Sequence, residues 1–439
     1  MRREGREGGA ARSRTRYDDE AGTWYSLDNA GIIMPATSDA VMTNLFRLSA
    51  TLDEELDPRL LDQALAAVAG RFPYFVVELR RGLFWHYLVP HEAPLRIESD
   101  STYPMQDYDV NRRGRCLFRV RAAGRRIACE FHHSITDGTG GMRFLKNLVA
   151  EYCRLRWSAA GGDDDLYRLD ERPAAEEYED AYGRHYRVDY PPPADLRRAY
   201  RPPSDPLPRF VYRVTCGIVP LAAALAKAKE YGASLTELLA SVYIDALQEL
   251  WLASSSRPRR SQLSLSIPVN MRKLYPSRTN RNFSLLTFIT QDMRLGHREF
   301  AEIVKRAHYQ LRFEIDARTM GSQLSRNVSA SKLFLFRLLP LPIKGRVLKV
   351  LHSSFGESLY SGSISNIGPV SLPEPIATHV ERLDFVPSPT HGKTNVGVLS
   401  WNGAIYITFG SLGRSREVER LFFTRLRKLG LPVRVECNL

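Results

Sequence analysis

The chain has 439 residues, with 44% hydrophobic and 25% charged side chains, which excludes a disordered, collagen-like or disulfide-scaffold protein. It holds 62 Lys and Arg against 49 Asp and Glu. The resulting net charge of +13 suits nucleic acid, an anionic membrane surface or an anionic substrate as partner.

Residues 1–20 are rich in Arg and Gly and have no apolar core, so they read as a disordered basic tail and not a secretory signal. The first ordered segment is expected over 24–36, followed by a strand over 42–52. Asp57-Pro58 reads as the N-cap and first residue of a helix with Leu60, Leu61, Ala64, Leu65 and Val68 at helical spacing. Two hairpins follow, 74–80 with 83–89 and 116–121 with 126–131. A helix is expected over 140–157. These elements make an N-terminal lobe over 21–158.

Residues 159–207 change character. They are acidic around Asp163, Asp164, Asp165, Glu176 and Glu177, then rich in Pro, and read as an inter-lobe connector that buries little apolar surface. The second lobe, 208–439, repeats the style of the first. A strand is expected over 209–218, and Ser234 with Glu237 forms a capping box on a helix. Strands are expected over 263–270 and 283–290, helices over 298–318 and between 323 and 351, strands near 361–365, 379–386, 396–401 and 404–409, a helix over 416–429 and a last strand over 433–437.

The stretch 333–343 is the most apolar. Arg337, Pro340 and Pro342 interrupt it, and it is too short to span a bilayer. With Lys332, Arg337, Lys344, Arg346 and Lys349 the longer segment 333–351 has the composition of a basic membrane contact. We read it instead as a core helix whose cations reach solvent. The five cysteines form no CxxC pair, which suits a reducing cytoplasm. No nucleic-acid motif is present.

The segment that carries chemistry is "EFHHSITDGTGG", containing His132, His133, Asp137 and Gly138 between a strand and a helix. A metal site is disfavoured because adjacent strand residues point to opposite faces and no third ligand cluster is evident. A serine hydrolase is disfavoured because the chain has no GxSxG. A polar turn with histidines satisfied by backbone is the plain structural reading. General-base catalysis by His133 is the chemical one, because a neutral imidazole takes a proton from a hydroxyl, amine or thiol near pH 7.

HHxxxDG resembles the signature of the acyltransferase superfamily that includes chloramphenicol acetyltransferase, plant acyl-CoA acyltransferases, condensation domains of nonribosomal peptide synthetases and alcohol acetyltransferases. "WYSLDNAGIIMPA", "RFPYFVVELRRGLFWHYL", "LSLSIPVNMRKLYPSRTNRNFS", "SISNIGPVSLP" and "LFFTRLRKLGLPV" extend the likeness, in order, to a bacterial alcohol-acetyltransferase-like branch. The resemblance implies an α/β (α+β) fold of two chloramphenicol-acetyltransferase-like lobes, each a mixed sheet with flanking helices, around an active-site channel. It implies that His133 is the general base, with His132 in support. Asp137 would be structural and paired with Arg272, and Gly138 would allow a tight turn. Asn270 and Asn282 would organise the same region, with Ser365 and Asn366 near the channel as the substrate or oxyanion region. No metal and no bound cofactor are implied. Acyl-CoA would be the cosubstrate, and a small alcohol or amine the acceptor, in a cytoplasmic monomer without nucleic acid or transmembrane segment, a peripheral membrane contact being the lesser alternative. The chain lacks DFGWG, which argues against a condensation domain. The alternative is a catalytically silent relative that binds an acyl ligand or a carrier protein.

Overall fold

The computed structural model describes residues 24–187, 197–254 and 258–439. The tail expected over 1–20 and Pro191, Pro192 and Pro193 of the connector lie outside them.

Local signals act where the sequence places them. The Asp57 carboxylate accepts from the backbone N–H of Arg59 and Leu60 and opens the helix Pro58–Arg71. Ser234 and Glu237 close a reciprocal box on the helix Leu235–Leu252. The helix expected over 298–318 is instead two, Phe300–Glu314 and Ala317–Lys332. Asp316 starts the second by accepting from the N–H of Arg318 and Thr319. The helix Leu221–Glu230 gives no apolar periodicity to read, because only Ala224 and Ala228 of it are buried.

The N-terminal lobe is built on a five-stranded sheet in the order Val380–Val386, Leu45–Leu52, Arg126–His132, Phe118–Ala123 and Ile97–Ser99. The helices Pro58–Arg71 and Gly138–Trp157 pack on each other, and the second lies on the sheet. The C-terminal lobe holds a seven-stranded sheet. Its centre runs Gln262–Asn270, Gly362–Pro369, Thr394–Trp401, Ala404–Ser411. A small third sheet joins Tyr25–Ser26, His86–Pro90 and Val77–Arg81.

A sequence boundary at residue 208 does not separate the lobes. The strand Val380–Val386 pairs antiparallel with Leu45–Leu52, Phe385 opposite Leu48, and so completes the N-terminal sheet. Without it, Leu45–Leu52 would present an open edge of unpaired backbone groups.

The connector departs from expectation too. Tyr178, Tyr182 and Tyr200 are almost fully buried, and Glu177 is 3% exposed. Three of its acidic residues are paired with cations of the lobe. Glu177 takes both guanidinium nitrogens of Arg71 at 2.8 Å, and Lys146 reaches Asp163 and Asp165. A composition that resembles a linker thus forms a strap, because aromatic anchors and opposite charges on the lobe complete it.

The reading of 333–351 as a core helix is also corrected. Two short helices form, Phe334–Leu338 and Leu341–Leu351. Lys344 is buried there, whereas Leu338, Ile343 and Val350 face solvent.

Candidate active site

The strand Arg126–His132 is buried from Ile127 onward and delivers the motif to the seam between the lobes. His132 is fully buried. Its Nδ1 accepts from the Ser134 N–H at 3.2 Å, so Nε2 carries the proton and donates to Ser38 Oγ at 3.0 Å. Burial, with His133 beside it, pushes its pKa down to about 3. His132 is a neutral fastening of the turn.

His133 is held differently. Its N–H donates to the Asn44 carbonyl at 3.0 Å, and its carbonyl accepts from Asn282 Nδ2 at 2.8 Å. The ring lies on Phe46, centroids 4.6 Å apart. Its Nδ1 is 3.2 Å from the Thr136 carbonyl. A carbonyl only accepts, so Nδ1 holds the proton and Nε2 is left with the basic lone pair. Burial lowers the pKa of this imidazole, partly offset by the Asp137 charge, the Thr136 carbonyl and Asn282.

Asp137 ties the seam. Oδ1 caps the helix Gly138–Trp157 by accepting from Thr139 and Gly140 N–H at 3.1 and 3.2 Å. Oδ2 accepts from Phe283 N–H and from Arg272, each at 2.9 Å. Burial works against the charge, but Arg272 and the backbone donors outweigh it and hold the carboxyl below its usual range.

Arg272 has every N–H direction occupied. Nε donates to the Thr279 carbonyl, one terminal nitrogen to Asp137 and Asn270, the other to Asp137 and the Arg281 carbonyl. Asn270 also donates to Thr139 Oγ1 at 3.3 Å. Asn282 bridges the His133 carbonyl and Asp28. Asp28, absent from the sequence-derived set, is fully buried, accepts from the Gly31 N–H at 2.6 Å and lies 3.6 Å from Arg281. Burial raises its pKa to about 6 despite Arg281. Its signal in the sequence was slight: an Asp three residues before a Gly in an apolar segment.

The φ of Gly138 is not positive, so no left-handed backbone requires a glycine there. A Cβ there would meet Ile367 at an ordinary 3.4 Å. The constrained glycine is Gly140, where a Cβ would collide with the Asn280 carbonyl. That carbonyl already accepts from Thr136 Oγ1 at 2.6 Å, so it has no freedom to retreat. Gly140→Ala should therefore destabilise the protein by about 1–3 kcal/mol, whereas Gly138→Ala should melt close to wild type; thermal unfolding of the two variants checks this.

Ser365 and Asn366 part company. Asn366 donates to Thr236 Oγ1 at 2.9 Å and accepts from Gly368 N–H at 2.8 Å, so both ends of its amide are engaged. Ser365 follows the buried Ile364 on its strand, and Ile367, at the bulge between Asn366 and Gly368, meets the motif helix at Gly138. Among the described residues no three His, Cys, Asp or Glu gather as a metal-holding group. No helix among them is long and apolar enough to cross a membrane.

The two mixed-sheet lobes make a known architecture. It is that of the CoA-dependent acyltransferases and condensation domains, and the chain has this fold. Among solved structures, F. sporotrichioides TRI101 complexed with coenzyme A and T-2 is similar at a TM-score of 0.63 and 11% identity, over 95% of this chain and 100% of that one. The Fusarium sporotrichioides trichothecene 15-O-acetyltransferase TRI3 gives 0.61 at 9% identity, over 95% and 96%. The first condensation domain of the calcium-dependent antibiotic synthetase gives 0.54 at 16% identity, over 92% and 95%. No protein-family model matches the sequence, and no curated protein does.

Proposed function

We propose that the chain is an acyltransferase that moves an acyl group, acetyl in the simplest case, from a CoA thioester to a hydroxyl or amine. The observation that carries this reading is the His133 tautomer, which leaves Nε2 as a base at the seam of a fold shared with acyltransferases. Nε2 takes the proton of the acceptor as its oxygen or nitrogen attacks the thioester carbonyl. The tetrahedral oxyanion collapses, the C–S bond breaks, and the imidazolium returns the proton to the departing thiolate. Acyl-CoA serves as cosubstrate and the scheme calls on no bound cofactor.

The oxyanion needs a donor, and the Ser365 hydroxyl suits the role better than Asn366, whose amide is engaged at both ends. Ser365→Ala should lower kcat by about 10²–10³-fold with little change in KM, measured by release of free thiol.

Mass spectrometry of products from acetyl-CoA and longer acyl-CoAs with a mixed acceptor library tests the proposal. Acylated product from wild type and none from His133→Ala supports it. No thioester consumption with any donor would favour the silent, ligand-binding alternative.

A further inference from the structure

Residues 317–356 hold seven Lys or Arg and no Asp or Glu, so they carry more than half of the net +13 in a small part of the chain. The fold puts this run at the surface. The helix Leu341–Leu351 packs one side on the short helix Met34–Thr37. On that inner side Lys344 is fully buried, donates to the Phe84 carbonyl at 2.7 Å and lies 3.4 Å from the centre of the Trp85 ring.

The outer side is of another kind. Ile343, Arg346, Lys349 and Val350 recur at helical spacing and are all exposed, Ile343 at 49% and Val350 at 62%. Leu338, also exposed, extends the apolar part, with exposed Arg337 next to it. The tip of the hairpin Val77–Arg81 with His86–Pro90 adjoins them. Its Leu83 is 71% exposed, and the Leu83 carbonyl accepts from the Leu341 N–H at 2.9 Å.

A helix face meant for water is polar and mixes both signs of charge. This one alternates bulky aliphatic side chains with cations alone, the pattern of a helix lying in the plane of a bilayer with its cations at the headgroups. Charge selects the occupant. A second copy would bring like charges together, whereas anionic headgroups complement them.

We propose that the outer face of Leu341–Leu351, with Leu338 and the Leu83 hairpin tip, docks on an anionic lipid bilayer. The docked helix stands one element from the motif, because Ser38, which follows Met34–Thr37, bonds His132. On the acyl-transfer reading, a bilayer-borne chain would then approach the seam directly. The docking itself does not depend on that reading.

The test is co-sedimentation of the full chain with vesicles of phosphatidylcholine alone or mixed with phosphatidylserine. Binding is expected to the mixed vesicles, weakening as salt is raised, and not to phosphatidylcholine alone. Arg346→Glu with Lys349→Glu should lower partitioning roughly thirtyfold or more, since each cation near the surface is worth about fivefold. Ile343→Ser with Val350→Ser should lower it as well, with melting temperature unchanged because all four side chains are exposed. Absence of binding at low salt, or binding indifferent to the charge reversal, overturns the proposal. Self-association that Ile343→Ser with Val350→Ser abolishes would assign the face to a second copy and overturn it too. Sedimentation reads binding without turnover, so its outcome is separable from that of the acyl-transfer assay.

Discussion

Replacing His133 with Ala should lower kcat by about two to four orders of magnitude, the usual contribution of a positioned general base. Stability should fall by only about 1 kcal/mol, because the ring is held by a neutral hydrogen bond to the Thr136 carbonyl and an aromatic contact with Phe46. The backbone anchors of His133, the Asn44 carbonyl and the Asn282 amide, survive the change. The same geometry sets a pH dependence. Burial places the imidazole pKa below its ordinary value, so the neutral, basic form dominates at neutral pH. The acid limb of kcat/KM should lie below pH 6.5 and rise to a plateau on its alkaline side. An acid limb above pH 6.5, or a fully active His133→Ala, would remove His133 from the chemistry.

The second large effect is on the fold. Arg272→Ala should destabilise the protein by about 3–5 kcal/mol, because it strands the buried Asp137 charge and frees the Thr279 and Arg281 carbonyls together. Arg272→Lys should recover only part of this, since an ammonium restores the charge but not the planar set of donors. The sign of the pH dependence follows from Asp137. Its folded pKa lies below its unfolded value, so the pair's contribution is present above the ordinary carboxylate range and is lost as pH falls through the folded pKa. Urea unfolding across acidic pH should show this loss in wild type and a flatter curve in Arg272→Ala. Equal slopes in the two proteins would assign the acid sensitivity to other carboxylates.

The ordering of strands and helices was legible because it rests on local physics: alternation, helical spacing, Asp57 and Ser234 as caps. The pairing of Asp137 with Arg272 came from the resemblance and not from spacing, because 135 residues separate them. Three features were not legible. The connector's burial depends on Arg71 and Lys146, which lie in another part of the chain. Asp28 matters only because Asn282 joins it to the His133 carbonyl. The constraint at Gly140 arises from a carbonyl contributed by the other lobe, so the sequence pointed to Gly138 two residues away.

The strand Val380–Val386 also bears on how the protein can be made. Its partner Leu45–Leu52 emerges from the ribosome more than three hundred residues earlier. Until the chain has passed residue 386, the amino-terminal sheet has a bare rim along a strand whose side chains are almost all buried in the finished protein. Synthesis therefore leaves a long interval in which that half depends on chaperones or on slow, late closure. Fragments cut in the connector should not survive separately, yet co-expressed they should reassemble, since the missing strand would arrive with the second piece.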